Sequence, residues 1–274
     1  MFLASLKTIF DIDNVGKRWG VRILYLFTVI LNAAIYFNPF ADTDFTRLNS
    51  WINSFMNTTD TEIIDELMRT IPISYGNWIY IATLIIGDFI LLTSAYIYAG
   101  VFVREFRKEK VRAANDPEVI DYAVSKLPDP PIKASKLAGR IIVLLLFSIL
   151  ISAPIVMISS YLLFFALIGV PFVFTVPVAY LSGDKGLFSS LPYAVRLSRK
   201  YYLINMRGIA LILLAAVLVD FTVPLLAKVS LTAYYILDSA ITTWLCLAFA
   251  RLAAIAYCTM KDFPIKDTRR PFAI

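Results

Sequence analysis

The chain is 274 residues long, 59% hydrophobic and only 17% charged, with a mean hydropathy of +0.73. No water-soluble fold of this length buries so much apolar surface in one core, so the excess faces a second apolar phase, the hydrocarbon of a bilayer. The net charge of +6 fits basic loops beside anionic headgroups rather than a nucleic-acid surface, and the absence of histidine removes the commonest metal ligand and neutral-pH general base.

A spanning helix needs about 20 mostly apolar residues. At the start, Phe2, Leu3, Leu6 and Phe10 share a helical face with Lys7 opposite, which predicts an interfacial helix. Lys7, Asp11, Asp13, Lys17 and Arg18 precede the first apolar run and no small-residue cleavage site follows it, so no cleaved signal peptide is expected. The first span is expected over residues 19–38. The next segment, 39–77, carries Asp42, Asp44, Asp60, Glu62, Asp65 and Glu66 against Arg47 and Arg69, which places it outside. Leu48, Ile52, Phe55 and Met56 follow helical spacing, as do Ile63, Ile64, Leu67 and Met68. Thr59 and Glu62 form a capping box for the second of these helices. Asn57-Thr58-Thr59 matches a glycosylation acceptor, which has meaning only in a secretory eukaryotic setting.

The second span is expected over residues 78–103. Segment 104–140 then holds Arg104, Arg107, Lys108, Lys110, Arg112, Lys126, Lys133, Lys136 and Arg140, and is read as cytoplasmic. Its prolines, Pro117, Pro128, Pro130 and Pro131, exclude a continuous helix. A short helix from Glu118 to Lys126 and an extended linker are expected there. From Ile141 to Leu181 no formal charge occurs. That length suits two spans, 141–158 and 160–181, interrupted by Pro154, Pro171 and Pro177 and by the Ser159-Ser160 pair. Segment 182–207 contains Lys185, Arg196, Arg199, Lys200 and Arg207 and is again cytoplasmic. Two cytoplasmic loops need an even number of spans between them, which supports the split independently. Leu187, Leu191, Ala194, Val195 and Tyr202 form an apolar stripe, so this piece is expected to lie in the inner headgroup layer.

The fifth and sixth spans are expected over residues 208–227 and 231–258. The tail, with Lys261, Lys266, Arg269 and Arg270, is inside. Cys246 and Cys258 lie about 18 Å apart along the last helix and cannot bridge each other. The fold class is therefore all-α: one polytopic transmembrane domain over residues 1–274, six helices, both termini in the cytoplasm, with interfacial amphipathic helices.

Ionisable groups inside spans are costly and mark candidate functional positions. Asp88, Asp220, Asp238 and Arg251 are the four. Asp220 and Asp238 belong to antiparallel neighbours at similar depth and, if they face each other, would share a proton or a cation. The alternative is that each is hydrogen-bonded locally: Asp238 has Tyr235 and Ser239 nearby, and Asp220 has Thr222. Arg251 either snorkels to the inner interface or pairs within the bundle. A second candidate surface is cytoplasmic: Arg196, Arg199 and Lys200 with Asp116 and Glu118. No G-x-x-x-x-G-K-[ST], G-x-S-x-G or H-E-x-x-H occurs, and no cofactor or metal is implied.

The stretch Val176-Pro177-Val178-Ala179-Tyr180, a polar turn with Gly183 and Gly186, Ala194-Val195-Arg196-Leu197-Ser198-Arg199-Lys200, and Gly208 opening a new span carries a family pattern. It resembles uncharacterised bacterial multi-pass proteins and the membrane domain of some glycerophosphodiester phosphodiesterases. In those, a basic amphipathic helix with an Ala-x-x-x-Ser core links two spans. The glycine often found after the basic position is missing here, and so is the phosphodiesterase catalytic domain. What the resemblance implies is a helical membrane module of a bacterial plasma membrane, often near transport or envelope functions.

These features point first to a non-catalytic integral membrane subunit or accessory factor in a transport-related setting. Its partners would be the bilayer, anionic headgroups at the cytoplasmic face and other membrane subunits. A second reading is the permease subunit of an ABC-type exporter, with an ATPase partner and a coupling helix around Asp116 to Lys126. A third is a stand-alone proton- or cation-coupled carrier using the intramembrane aspartates. A lipid-modifying enzyme lacks a recognisable nucleophile.

Overall fold

The computed structural model describes residues 18–58, 63–65, 69–114, 129–156 and 168–261. Among these no strand is present, and the principal elements are α-helices: α1 (Arg18–Tyr36), α2 (Thr46–Asn57), α3 (Tyr75–Ala114), α4 (Ala134–Val156), α5 (Val176–Leu181), α6 (Leu187–Ser198), α7 (Tyr202–Thr222) and α8 (Leu231–Lys261). Short 3-10 turns at Arg199–Tyr201 and Val223–Lys228 join α6 to α7 and close α7. Four helical stretches are long and apolar enough to cross a membrane: Trp19–Tyr36, Tyr75–Glu109, Leu187–Lys228 and Leu231–Lys261. The expected N-terminal interfacial helix, the Thr59–Glu62 capping box and the Asp116–Lys126 helix lie outside the described residues.

Helix α3 is 40 residues long, about 60 Å, and overruns the expected 78–103 span at both ends. It continues through Arg104, Glu105, Arg107, Lys108 and Glu109 because these are good helix formers and no glycine or proline interrupts them. At its other end the helix has a defined start. The Ser74 hydroxyl accepts from the Asn77 N–H at 3.0 Å, and the Asn77 side-chain oxygen accepts from the Ser74 N–H at 3.1 Å. This is a reciprocal capping box with asparagine in the role usually taken by glutamate. The Asn77 amide also donates to the carbonyls of Asp42 and Asp44, at 2.9 and 3.1 Å, and so ties the segment after α1 to the head of α3.

The core lies where α8 packs on α3 and α1 packs on both. The second half of α8 is alanine-rich, and Ala248, Ala250, Ala253, Ala254 and Ala256 are all buried. Small side chains let helices approach closely, which matters where lipid supplies no hydrophobic drive between them. The outward faces of α1, α3, α4 and α7 are apolar and exposed, for example at Ile23, Ile85, Leu146 and Leu214.

The region from residue 168 departs from a single expected span. Within Ile168–Leu181 the helix breaks at Phe174-Thr175, just before Pro177, and resumes as the six-residue α5. The amphipathic piece also differs from its expected stripe. Its buried positions are Ser190, Ala194 and Ser198, while Leu191 is exposed. The small residues, three at i, i+4, i+8, pack inward, and the larger leucine is left facing out. The chain then enters α7 at Tyr202 rather than at Gly208, because only a three-residue 3-10 turn separates them.

The capping box generates a direct test. Ser74→Ala is expected to lower stability by about 1 kcal/mol and Asn77→Ala by roughly 2 kcal/mol, since the latter also strands two carbonyls. Thermal or denaturant unfolding in detergent measures both.

Candidate functional site

Arg107 lies on α3, one turn beyond the expected end of the second span. Its residue exposure is 0%, which is costly for a cation without compensation. The compensation is Asp184, in the turn between α5 and α6. The guanidinium donates to both carboxylate oxygens, at 3.1 and 2.8 Å, and also to the Ser182 carbonyl at 3.3 Å. Planar two-point geometry of this kind is the strongest arrangement available to an ion pair. Gly183 makes the turn possible: its φ of +89° belongs to the left-handed region, and a Cβ there would sit 3.2 Å from Ile132.

Helix α8 completes the cluster. Tyr257 and Lys261 are spaced i, i+4 and present one face. The Tyr257 hydroxyl donates to Asp184 Oδ2, Lys261 Nζ lies 2.6 Å from the same oxygen, and the Ser182 hydroxyl donates to it at 2.8 Å. Lys261 also contacts the Asp129 carboxylate. Burial alone would push the Asp184 carboxyl up, but hydrogen bonds from Arg107, Lys261 and Tyr257 outweigh it and hold the group well below the usual carboxylate range. Beside it, the Arg140 guanidinium of α4 stacks over Tyr180 at 4.7 Å and donates to the carbonyls of Tyr180 and Lys185. Four elements (α3, the α5–α6 turn, α8 and the start of α4) therefore converge at one charged end of the bundle.

The four intramembrane candidates are placed separately. Arg251 is buried within the bundle, donating to the Tyr98 hydroxyl at 3.1 Å and lying 5.0 Å over the Phe102 ring. It does not snorkel. Asp238 is half-buried at the opposite end of α8. Its partner is Tyr36 of α1, at 3.1 Å, rather than Ser239 or Tyr235. The Tyr235 ring instead stacks on Tyr36, with centroids 4.7 Å apart. Asp220 is exposed, though within electrostatic range of Asp238, and Thr222 donates to the carbonyls of Leu218 and Val219 rather than to it. Asp88 is exposed on α3, within electrostatic range of Cys246 of α8.

Arg196, Arg199 and Lys200 are exposed, as expected of a basic surface, while Asp116 and Glu118 lie outside the described residues. Sequence reasoning overlooked Asp184. The available signal was a lone carboxylate in an otherwise basic segment, beside two glycines. Among the described residues no group of three or more His, Cys, Asp or Glu side chains is placed to hold a metal ion. Comparison with protein-family models, with curated proteins and with solved structures finds no match for this chain.

The depressed Asp184 carboxyl gives a pH dependence with a definite sign. Its stabilisation is fully present above about pH 4 and is lost as pH falls from there towards the lower folded-state value. Asp184→Asn should cost about 3–5 kcal/mol at neutral pH, because it leaves the buried Arg107 without a counter-charge and Lys261 with Asp129 alone. The gap between wild type and variant should narrow as pH drops below about 4, which unfolding measured across a pH series checks.

Proposed function

We propose that this chain is a non-catalytic integral membrane subunit that docks laterally against a partner chain in a bacterial plasma membrane. In this reading it has six spans and both termini on the cytoplasmic side. Residues 134–156 form the third span and the broken stretch ending at Leu181 forms the fourth, beside the four long apolar helices. The charged end around Arg107 and Asp184 lies at the cytoplasmic face, in keeping with the basic segments that flank it. The resemblance to bacterial multi-pass modules points the same way.

The supporting observation is Asp88. It lies roughly 20 Å along α3 from Tyr75, near the middle of the apolar stretch. Leu84, Ile85, Ile86 and Phe89 around it are all exposed. A carboxylate facing hydrocarbon at mid-depth costs about 2.5–3.5 kcal/mol on insertion scales, so such groups ordinarily face protein or water. A partner helix offering a hydrogen-bond donor at that depth removes the penalty and gives the contact its register. The carrier reading draws less support, because Asp220 is exposed instead of facing Asp238 in the bundle.

A photo-crosslinking residue in place of Ile85, activated in native membranes, tests this. The expected product is a discrete protein adduct. Asp88→Leu should weaken its capture roughly threefold to thirtyfold, the range for one intramembrane hydrogen bond. Adducts to lipid alone would overturn the reading.

A further inference from the structure

A cleft of about 850 Å³ opens beside the charged cluster, between segment 129–136 and the turn at 182–184. Its walls include Asp129, Ile132, Lys133, Ser135, Lys136 and Asp184. The volume is that of a small-ligand site.

Its lining carries two ammonium groups, Lys133 and Lys136, and two carboxylates, Asp129 and Asp184. Both carboxylates are already engaged, Asp184 by Arg107 and Lys261, and Asp129 by Lys261. Arg140 is directed at backbone carbonyls. Lys133 and Lys136 are exposed, and among the described residues neither forms an ion pair. The cleft thus presents two uncompensated ammonium groups and the Ser135 hydroxyl. The first turn of α4, whose N–H groups favour negative charge, borders it.

The depth of the cleft narrows the ligand further. Beyond Arg140, α4 is apolar, and α5 is apolar up to Leu181, immediately before the lining residue Ser182. The cleft therefore sits just past the ends of two apolar helix bodies, at the level where headgroups meet hydrocarbon. Basic pockets between helices at that level are suited to phosphate-bearing groups.

We propose that this cleft is a binding site for a phosphate monoester or diester anion, held by Lys133 and Lys136 with Ser135 donating. Two sources share that chemistry: a lipid headgroup and a free phosphate ester. The proposal goes beyond the subunit reading and rests on it only for the six-span threading that sets the level of the cleft, since it involves neither Asp88 nor a partner chain.

The test uses the full chain in nanodiscs. One arm compares phosphatidylcholine alone with a phosphatidylcholine–phosphatidylglycerol mixture, and native mass spectrometry measures retained anionic lipid. The other titrates inorganic phosphate and glycerol 3-phosphate into phosphatidylcholine nanodiscs and follows thermal stability. One lysine near an anion contributes about fivefold in affinity, so K133Q/K136Q should bind roughly 25-fold more weakly. K133R/K136R should bind nearly as wild type, and Lys228→Gln, on the exposed 3-10 turn that closes α7, should be indistinguishable from it. A response to phosphatidylglycerol alone identifies the lipid as the source, and a response to the soluble anions identifies a free ester. Either supports the site. Should the double variant fail to fold, Lys133→Gln and Lys136→Gln singly, each expected to lose about fivefold, carry the same comparison. Equal binding of every ligand by wild type and the glutamine variants overturns the proposal.

Discussion

The bidentate contact between Arg107 and Asp184 is the constraint on which the described architecture turns. Its two residues are 77 positions apart, and the contact fixes the turn after α5 against α3, which already packs on α5 through the core. Arg107 is reached only because α3 continues past its apolar stretch. Asp184 is reached only because Gly183 bends the chain back after α5. Once joined, they bring in Tyr257 and Lys261 from the last turns of α8. Without the carboxylate, two cations would be held near one another in a largely dry environment, and the Coulomb term that now favours this packing would oppose it.

The two ends of the bundle are held by different chemistry, and the middle by a third kind. At the Lys261 end the contacts are ionic. At the Leu231 end they are capping and aromatic: the Ser74–Asn77 box, and Tyr36 stacked on Tyr235 while donating to Asp238. Between them the helices are joined by alanine packing and a few short polar bridges. Thr28 donates to Leu24 and accepts from Ser94 at 2.6 Å, linking α1 to α3 without exposing a hydroxyl. This gradient matches a bilayer, in which strong polar contacts are best placed near the interfaces and backbone groups satisfy themselves in between.

The helical elements were legible because apolar runs long enough to span hydrocarbon admit little else. The break before Pro177 was legible from the N–H that proline lacks and the room its ring takes, although Pro192 and Pro154, the latter also expected to interrupt its run, lie inside α6 and α4. The extent of α3 was not, since charge marked Arg104 as the end of a membrane segment while helix propensity carried the backbone further. Chemical partners were legible only when local. Reading Asp238 against Tyr235 and Ser239, or Asp220 against Thr222, favoured neighbours in sequence, whereas the Asp238 partner, Tyr36, is 202 residues away. Arg251 could be placed inside a span from composition, but Tyr98 as its acceptor follows only from the packing of α8 on α3. Small residues posed the reverse problem. The Ala194 and Ser198 positions of the basic helix carried no hydrophobic signal, yet they form its inward face.

A double-mutant cycle on Arg107→Leu and Asp184→Leu, read by equilibrium unfolding in detergent, tests the central interaction most directly. The account predicts strong coupling: Asp184→Leu leaves Arg107 buried without a carboxylate, Arg107→Leu takes the bidentate donor from Asp184, and removing both recovers at least about 2 kcal/mol of the summed loss. Simple additivity of the two losses would show that the pair does not hold the bundle together.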